Sequence, residues 1–299
     1  MSRFDPARIV GTTLRSTGRD LVLEQLLASG GIAHVFLART TAAADSHGDE
    51  LVAVKLLRPE MEDRPDVVTR FEREALAASR IRDENVVAVF EPVQRWGGLA
   101  YFGCEYLDGV DLADLLTQKR GLAPGRAVRI LMGAARGLGA AHAEGVVHRD
   151  VKPENLFLVH RGDGREITKL LDFGAASLEG DARLVEQSHR LTTLRTVVGT
   201  PGYMAPEQAD AVPAHPTADI YSLGVVLYEA ISGRPPFTAR NWVELMHRHL
   251  TETPPRLTGV SQELTRVVEK TMQKRPSERH QGMAELETEL ALVPEVTSG

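Results

Sequence analysis

The chain changes character once, and that single change constrains its fold more than any other feature. Up to Leu107 the apolar residues gather in short runs of strand type. LVLEQLLASGG, from Leu21, and IAHVFLART, from Ile32, flank a glycine pair as the two arms of a hairpin do. After the polar stretch TAAADSHGD, read as a solvated insertion, ELVAVKLLR has the continuous apolar make-up of a buried strand. NVVAVFEPV and LAYFGCEYL, from Asn85 and Leu99, read as further strands. One helix interrupts them: DVVTRFEREALAASRI has apolar residues at helical spacing, with Glu and Arg between them. Beyond Asp108-Gly109 the spacing turns helical in DLADLLTQK, GRAVRILMGAARGLGAAHAEG, DIYSLGVVLYEAISG, ARNWVELMHRHL and a C-terminal stretch, with only short strands around residues 146–171. Segregated strands and helices predict an α+β chain, with a strand-rich part of about a hundred residues preceding a helical part. Clefts between such parts are common ligand sites.

Composition removes several classes of function. A length of 299 residues suits one large domain or two lobes. The net charge of −6, with no long basic run, argues against nucleic acid as a partner. Cys104 is the only cysteine, which excludes an internal disulfide and a cysteine-based zinc site. Apolar runs such as LGVVLYEAI are too short to cross a bilayer, and MSRFDPARIV lacks the apolar core of a signal peptide. A cytoplasmic chain with no membrane segment is therefore expected.

Chemistry concentrates in VVHRDVKPENLFL, Val146–Leu158, where six charged or polar residues sit between apolar ends. Pro153 makes the stretch a poor helix interior, and such groups at the edge of a core need partners, a metal or a ligand. In a loop, Asp150 can accept a proton from a hydroxyl, Lys152 can neutralise a phosphoryl group, and Asn155 can offer an oxygen to a hard cation. A surface loop with fortuitous charges is the bland alternative, but the order H-R-D-x-K-x-x-N is long and specific. KLLDFG follows, with Asp172 ending a strand where a carboxylate can chelate a divalent metal. Lys55, inside the apolar strand VAVK, needs a counter-charge unless it snorkels to the surface. Glu74 in RFEREAL is the natural partner, with Glu72 nearby.

HRDVKPEN, DFG, VAVK, APE at Ala205–Glu207 and DIYSLG at Asp219–Gly224 stand in the order and approximate spacing of one family. The chain resembles the eukaryotic-like protein kinases, and specifically the bacterial serine/threonine kinases, from about Leu21 to about Leu292. The resemblance implies a two-lobed kinase-like fold: a small antiparallel sheet with one main helix in the N-lobe, residues 21–107, and a larger, mainly helical C-lobe, residues 108–292. Residues 1–20 would be an N-terminal extension and 293–299 a tail. It also implies transfer of the γ-phosphate of ATP to protein Ser or Thr hydroxyls. By position, Asp150 would be the catalytic base, Lys152 would steady the γ-phosphate, and Asn155 and Asp172 would hold magnesium, or manganese in its place. Lys55 would bind the α- and β-phosphates and pair with Glu74. The physical need is to position groups and stabilise the charge spread over phosphoryl oxygens.

For the base, the resemblance makes Glu105-Tyr106-Leu107 a hinge, with the Glu105 carbonyl and Leu107 amide reading adenine. Val35, Ala53 and Phe157 would sandwich the ring, Cys104 would be the gatekeeper, and Asp111 would bond a ribose hydroxyl. Leu27, Ala28 and Gly30 would cover the nucleotide. Here the chain departs from the family pattern G-x-G-x-x-G-x-V, which reads Ala28-Ser29-Gly30-Gly31-Ile32-Ala33-His34-Val35. Methyl groups at Ala28 and Ala33 restrict the backbone that would cradle phosphates. A tight hairpin turn explains Gly30-Gly31 equally well.

Thr200 lies where the resembled family ties the base to the lysine, which implies Ser/Thr rather than Tyr specificity. Arg149 before Asp150 implies control by phosphorylation of the segment Asp172–Glu207, at Thr192 first, then Thr193 and Thr196. Glu207 and Arg279 match a buried ion pair, and Asp219 an anchor for the backbone of His148 and Arg149. His247 and His249 invite a metal reading, but their spacing does not put both on one helix face, so a surface role is expected. Relatives of this kind often dimerise through the strand-rich lobe, so a homodimer is a further expectation. A pseudokinase, a nucleotide-sensing module that binds proteins without catalysis, is the alternative of another class, suggested by the eroded glycine loop alone. A small-molecule phosphotransferase is a third, opposed by the APE segment.

Overall fold

The computed structural model describes residues 4–15, 20–41, 50–90, 93–178, 200–210 and 215–297. TAAADSHGD from Ala42 onward, and Thr192, Thr193 and Thr196, lie outside the described residues. The chain forms two compact units. The first takes residues up to Arg82 together with Val87–Asp108, and the second takes Asp83–Val86 and everything from Gly109.

The first unit is built on a six-stranded antiparallel sheet of order β1-β2-β3-β4-β6-β5. Its strands are β1 (Thr13–Arg15), β2 (Asp20–Ser29), β3 (Ala33–Thr41), β4 (Leu51–Leu57), β5 (Gln94–Trp96) and β6 (Leu99–Glu105). Because side chains alternate across a strand, the register sorts them into two faces. One face carries Leu14, Leu21, Leu23, Phe36, Ala38, Val52, Val54, Leu56 and Tyr101, all buried as one cluster. On the other, Ala33, Leu57, Ala100 and Phe102 pack against Val67, Phe71 and Ala75. Those last three lie on α2 (Pro65–Arg80), the helix predicted from their spacing, which a short turn, α1 (Pro59–Glu62), precedes. Proline at its first position suits α2, since that N–H has no intrahelical partner.

Two details differ from expectation. Residues 85–90 of NVVAVFEPV form no strand: Val86 makes a single bridge to Leu170 and Val89 one to Cys104. Each residue finds one partner in a different sheet, so no continuous ladder develops. The sheet also starts before residue 21, because β1 pairs Thr13–Arg15 with Asp20–Val22 and Leu14 is fully buried.

The second unit is mainly helical: α3 (Leu112–Lys119), α4 (Pro124–Ala143), α5 (Pro216–Ser232), α6 (Trp242–Thr251), α7 (Gln262–Thr271), α8 (Met283–Ala291) and α9 (Pro294–Thr297). α5 is buried on every side from Thr217 to Tyr228, so it is the central helix rather than an amphipathic one. Its end is set by Gly233, at φ +73°, where a side chain would strike the carbonyl of Arg120. Short strands β7 (Gly109–Asp111), β9 (Leu156–His160) and β10 (Glu166–Leu170) form a three-stranded sheet in the order β10-β9-β7. β8 (Val146–Val147) pairs with β11 (Ser177–Leu178). The charged stretch quoted above thus runs from β8 to β9, through a 3-10 turn at Pro153–Asn155.

Candidate active site

The predicted residues fall into two sets, one in each unit. In the first unit, Val35 faces Lys55 and Lys55 faces Phe102, while Leu37 faces Ala53 and Ala53 faces Cys104. Val35, Ala53, Lys55 and Cys104 therefore share the sheet face that α2 covers only in part. Lys55 Nζ reaches Glu74 Oε1 at 2.5 Å, and Glu74 is buried on the inner side of α2. Glu72 turns outward instead and meets Arg95 at 3.5 Å. The lysine in the apolar strand thus has a desolvated carboxylate as its partner.

Cys104 is half-buried, and desolvation beside Glu74 and Glu105 pushes its thiol up to about 12 despite the nearby Lys55 charge. It is a neutral, apolar group and not a nucleophile. Downstream, Glu105 turns its side chain inward, where Oε1 accepts the N–H of Ala88 at 2.7 Å, and its own N–H goes to the Ala88 carbonyl at 2.9 Å. The backbone leading to Leu107 is held at Glu105 by both bonds.

The glycine loop closes through the Gly30 N–H and the Ala33 carbonyl at 2.9 Å. β2 is irregular on its approach, with register shifts around Glu24 and Leu27, and Leu27 is left 40% exposed. Neither Gly30 nor Gly31 takes a positive φ, and a Cβ on Gly31 would meet nothing within 4 Å. The turn itself does not demand the glycine pair.

In the second unit the stretch from Asp150 to Asn155 forms a closed polar network. Lys152 Nζ donates to Asp150 Oδ2 at 2.7 Å and to Thr200 Oγ1 at 2.9 Å. Thr200 in turn donates its N–H to Asp150 Oδ1 at 2.9 Å and its hydroxyl to the same oxygen at 3.2 Å. Asn155 Nδ2 donates to the Asp150 carbonyl at 2.8 Å, so its amide oxygen points the other way. Asp150, Lys152 and Thr200 form a triangle, and the asparagine oxygen is presented beside it.

A second network holds that loop from beneath. Asp219, fully buried on α5, accepts the N–H of His148 at 2.9 Å and of Arg149 at 2.8 Å. Its Oδ2 also takes the Nε2–H of His142, on α4, at 2.8 Å. Burial alone would raise the Asp219 pKa, but the hydrogen bond and charge of His142, with His148 and the Arg149 amide, outweigh it and hold the carboxyl below its ordinary range. This anchoring matters because Arg149 sits at φ +66°, a left-handed conformation that a side chain disfavours. Gln208 Nε2 fixes the other end of the same residue, donating to the Arg149 carbonyl at 3.1 Å.

His148 couples this loop to the second motif. Its Nε2–H donates to the Leu171 carbonyl at 3.0 Å, its Nδ1 accepts the Asp150 N–H at 3.3 Å, and its ring packs on buried Phe173 at 4.8 Å between centroids. Asp172 is exposed at φ +56°, and its Oδ1 accepts the Gly174 N–H at 3.0 Å. Sequence reasoning singled out neither His142, the His148 ring nor Gln208. His142 and His148 carried one signal, being histidines beside the motif at the close of a helix and a strand; Gln208, immediately after APE, carried none.

The donor set fits a hard divalent cation. Asn155 offers an amide oxygen and Asp172 a carboxylate, both hard oxygen donors, which suit magnesium or manganese rather than zinc. Asp111 caps α3, its Oδ1 accepting the Asp114 N–H at 2.8 Å, and Phe157 is half-buried on β9 opposite Lys169.

Two further expectations concern the frame. Arg279 and Glu207 pair in a two-pronged bridge at 2.6 and 2.8 Å, and Arg279 also donates to the carbonyls of Thr217, Gln273 and Lys274. His249 is not a surface residue as expected: it is fully buried, bonded through Nδ1 to the Tyr221 hydroxyl at 2.9 Å, with its ring edge-on to Phe237. α6 turns this position inward because Met246 and His249 lie three residues apart on the same helical face, while His247 stays exposed.

A carboxylate tied to a lysine and a threonine in one unit, and a buried lysine–glutamate pair in the other, are the residue types that phosphoryl-transfer folds use to orient a hydroxyl and meet phosphate charge. The protein kinase domain family matches residues 21–289, and the chain belongs to that family. It is 35% identical to the serine/threonine-protein kinase PknB of Mycobacterium tuberculosis over 91% of this chain and 42% of that protein. It is 34% identical to the serine/threonine-protein kinase pkn3 of Myxococcus xanthus, over 97% and 52%, and 36% identical to PkaA of Streptomyces coelicolor, over 89% and 48%. The chain spans about half the length of the curated relatives it matches. Among the described residues, no helix is long and apolar enough to cross a membrane.

Proposed function

We propose that the chain transfers the γ-phosphate of ATP to serine or threonine hydroxyls of proteins. The observation that carries this reading is the triangle of Asp150, Lys152 and Thr200, which holds one carboxylate ready to orient a hydroxyl and keeps a cation beside it. Asp150 would align the substrate hydroxyl and take its proton as the phosphoryl group moves. Lys152 would then neutralise charge on the transferred oxygens. Lys55, kept in place by Glu74, would meet the α- and β-phosphates. Asn155 and Asp172 would hold magnesium, which supplies charge neutralisation along the triphosphate when bound.

For the base, Val35, Ala53 and Phe157 would line the adenine, with Cys104 as gatekeeper and the Glu105 carbonyl and Leu107 amide as readers. Leu27, Ala28 and Gly30 would cover the nucleotide, and Asp111 would reach the ribose. Residues 21–107 and 108–292 would be the two working lobes. Self-association through the strand-rich unit and a cytoplasmic place of action belong to the same reading. Thr200, already on Asp150 and Lys152, supports hydroxyl-bearing Ser and Thr as the substrates. Lys55, Glu74, Asp150, Lys152, Asn155 and Asp172 are all present, so nothing favours a binding module without catalysis.

Control would come through Arg149. Burial holds its guanidinium pKa below the ordinary value, with Asp219 opposing that shift, so an added anion nearby would be stabilising. A phosphate on Thr192, or on Thr193 or Thr196, would bring about −1.5 to −2 charges to it. The decisive experiment follows labelled phosphate from Mg-ATP into the chain and a generic protein. Transfer is expected in the native chain and lost in Asp150→Asn; transfer that survives in Asp150→Asn would refute the reading. Mass spectrometry of the native product should place phosphate on the three threonines, Thr192 foremost.

A further inference from the structure

The loop over β2 and β3 lacks two of the glycines its family uses, yet it is not left unsupported. Five contacts hold it from outside the nucleotide face. Ser29 and His34 oppose each other across the hairpin, and Ser29 Oγ hydrogen-bonds His34 Nδ1 at 2.9 Å. His34 is only 5% exposed, because the ring of Phe4 stacks on it at 5.9 Å between centroids with the planes 28° apart. Beneath it, Phe36 meets the imidazole edge-on at 6.4 Å. Just beyond β4, Arg58 gives its N–H to the Ile32 carbonyl at 2.9 Å and its Nη1 to the Gly30 carbonyl at 3.2 Å.

Phe4 does not reach His34 by chance. It precedes a 3-10 turn, Pro6–Ile9, whose start is fixed by Asp5 accepting the Ala7 N–H at 3.1 Å. Ile9 packs on the buried cluster of the sheet, and the Gly11 N–H bonds the Leu23 carbonyl at 2.7 Å. The N-terminal residues thus form a strap tied to β2 at one end and to the loop at the other.

We propose that His34 is a positioning residue for the phosphates of the nucleotide, holding the Gly30–Ile32 loop in one conformation between the Phe4 strap and Ser29. The inference rests on the kinase reading, in which this loop covers the phosphates. Elsewhere in the family pattern glycine lets the loop adapt; here Ala28 and Ala33 restrict it, and the brace selects one of the fewer conformations left. Losing the brace should therefore weaken contacts to phosphate and leave contacts to the base alone.

Two measurements test this, and they fail separately. Amide hydrogen exchange of residues 29–35 in the intact chain should quicken in His34→Ala, and also in Phe4→Ala, with the rest of the sheet unchanged. Titration calorimetry should show Mg-ADP binding weakened about three- to tenfold in both variants, the scale of one lost hydrogen bond or ring contact, while adenosine binds as before. In turnover the ATP KM should rise with kcat retained. Unchanged exchange in both variants overturns the brace. Equal losses for adenosine and Mg-ADP overturn the assignment to phosphate. If the native chain binds no Mg-ADP, the kinase reading fails, and the exchange result still decides whether His34 braces the loop. Phe4→Ala removes only a partly exposed ring, so it stays informative even if His34→Ala folds poorly.

Discussion

The Asp150 loop and the glycine loop both present backbone and side chains to the proposed reaction, yet they are held in opposite ways. The Asp150 loop is anchored from inside, by a fully buried carboxylate that takes two backbone N–H groups and one imidazole. The glycine loop is braced from outside, by a stacked ring, a hydroxyl and an arginine on its carbonyls. The inner anchor holds Arg149 in a conformation it would otherwise avoid. The outer brace limits the freedom of a loop whose own conformation needs no left-handed residue. A group that must keep its geometry through every turnover is tied into the core. One that must admit and release a ligand is tied at the surface, where each contact is weak enough to yield.

Breaking the frame beneath the inner anchor should have the largest effect. Arg279, itself buried, spends its guanidinium on Glu207 and three carbonyls, so Arg279→Ala leaves a partly buried carboxylate and several acceptors without a donor. Chemical denaturation should show about 3–5 kcal/mol of stability lost. Arg279→Lys should recover little, because an ammonium cannot serve both carboxylate oxygens and the carbonyls together. A loss below about 1 kcal/mol in Arg279→Ala would mean the bridge is not the frame it looks like.

Next in size is the anchor itself. Asp219→Asn keeps the shape but turns one acceptor into a donor, so His148 or Arg149 loses its partner and Arg149 loses support for its left-handed backbone. Stability should fall by about 1–3 kcal/mol. Phosphate transfer should fall by about a hundredfold, since a small displacement of Asp150 is enough to lose that much. Binding of Mg-ADP should be nearly unaffected, because the outer brace is intact. If nucleotide affinity falls in parallel with transfer, the two loops are not held independently and the contrast between them is lost.

How far the sequence foretold this contrast follows from the physics of each part. Strand and helix segregation, the α2 helix and the main helices of the second unit were legible because burial imposes a period on apolar residues. The Lys55–Glu74 pair was legible for a related reason: a lysine in an apolar strand needs a carboxylate, and RFEREAL offers Glu74, with Glu72 as the alternative that the fold turns outward. Asp150, Lys152 and Thr200 were expected through family resemblance, and their meeting depends on residues about fifty apart, which no local pattern encodes. NVVAVFEPV misled because β-branched composition signals burial, not the availability of a continuous partner strand. His34 gave no signal and His142 only its place beside the motif, since each owes its role to a ring or carboxylate brought up by the fold. His249 was misread for the same reason: spacing to His247 excluded a shared metal but said nothing about which of the two faces the core.

That misreading gives a smaller test, set in the helical unit. Desolvation, helped by the charge of Lys274 and opposed by the Gly202 backbone, lowers the His249 pKa to about 4, against about 6.5 in an unfolded chain. The unfolded chain binds the proton first, so stability is complete above about pH 6.5 and is lost as the pH falls toward 4. The slope approaches about 1.4 kcal/mol per pH unit at most within that window. Denaturation midpoints for native and His249→Gln chains should converge as the pH falls from 6.5 to 4. Asp219 does not confuse the comparison: its lowered pKa places its own loss at lower pH, and both chains share it. Parallel curves would place His249 in contact with water and return it to the surface role.

The smallest effect expected belongs to Cys104, on the sheet face shared with Lys55 and Ala53. Its thiol is pushed up to about 12, so at pH 8 the thiolate is scarce, and alkylation by iodoacetamide should be far slower than for a free cysteine. The brace on the glycine loop acts on the opposite face of the sheet, through His34 beside Phe36, and should not change that environment. Phe4→Ala should therefore leave the alkylation rate within about twofold of the native chain, although it quickens exchange in residues 29–35. A rate that rises with loop exchange would show that the strap holds the whole sheet together. The outer brace would then be part of the core, and the distinction between the two modes of support would dissolve on the side of the molecule where it is weakest.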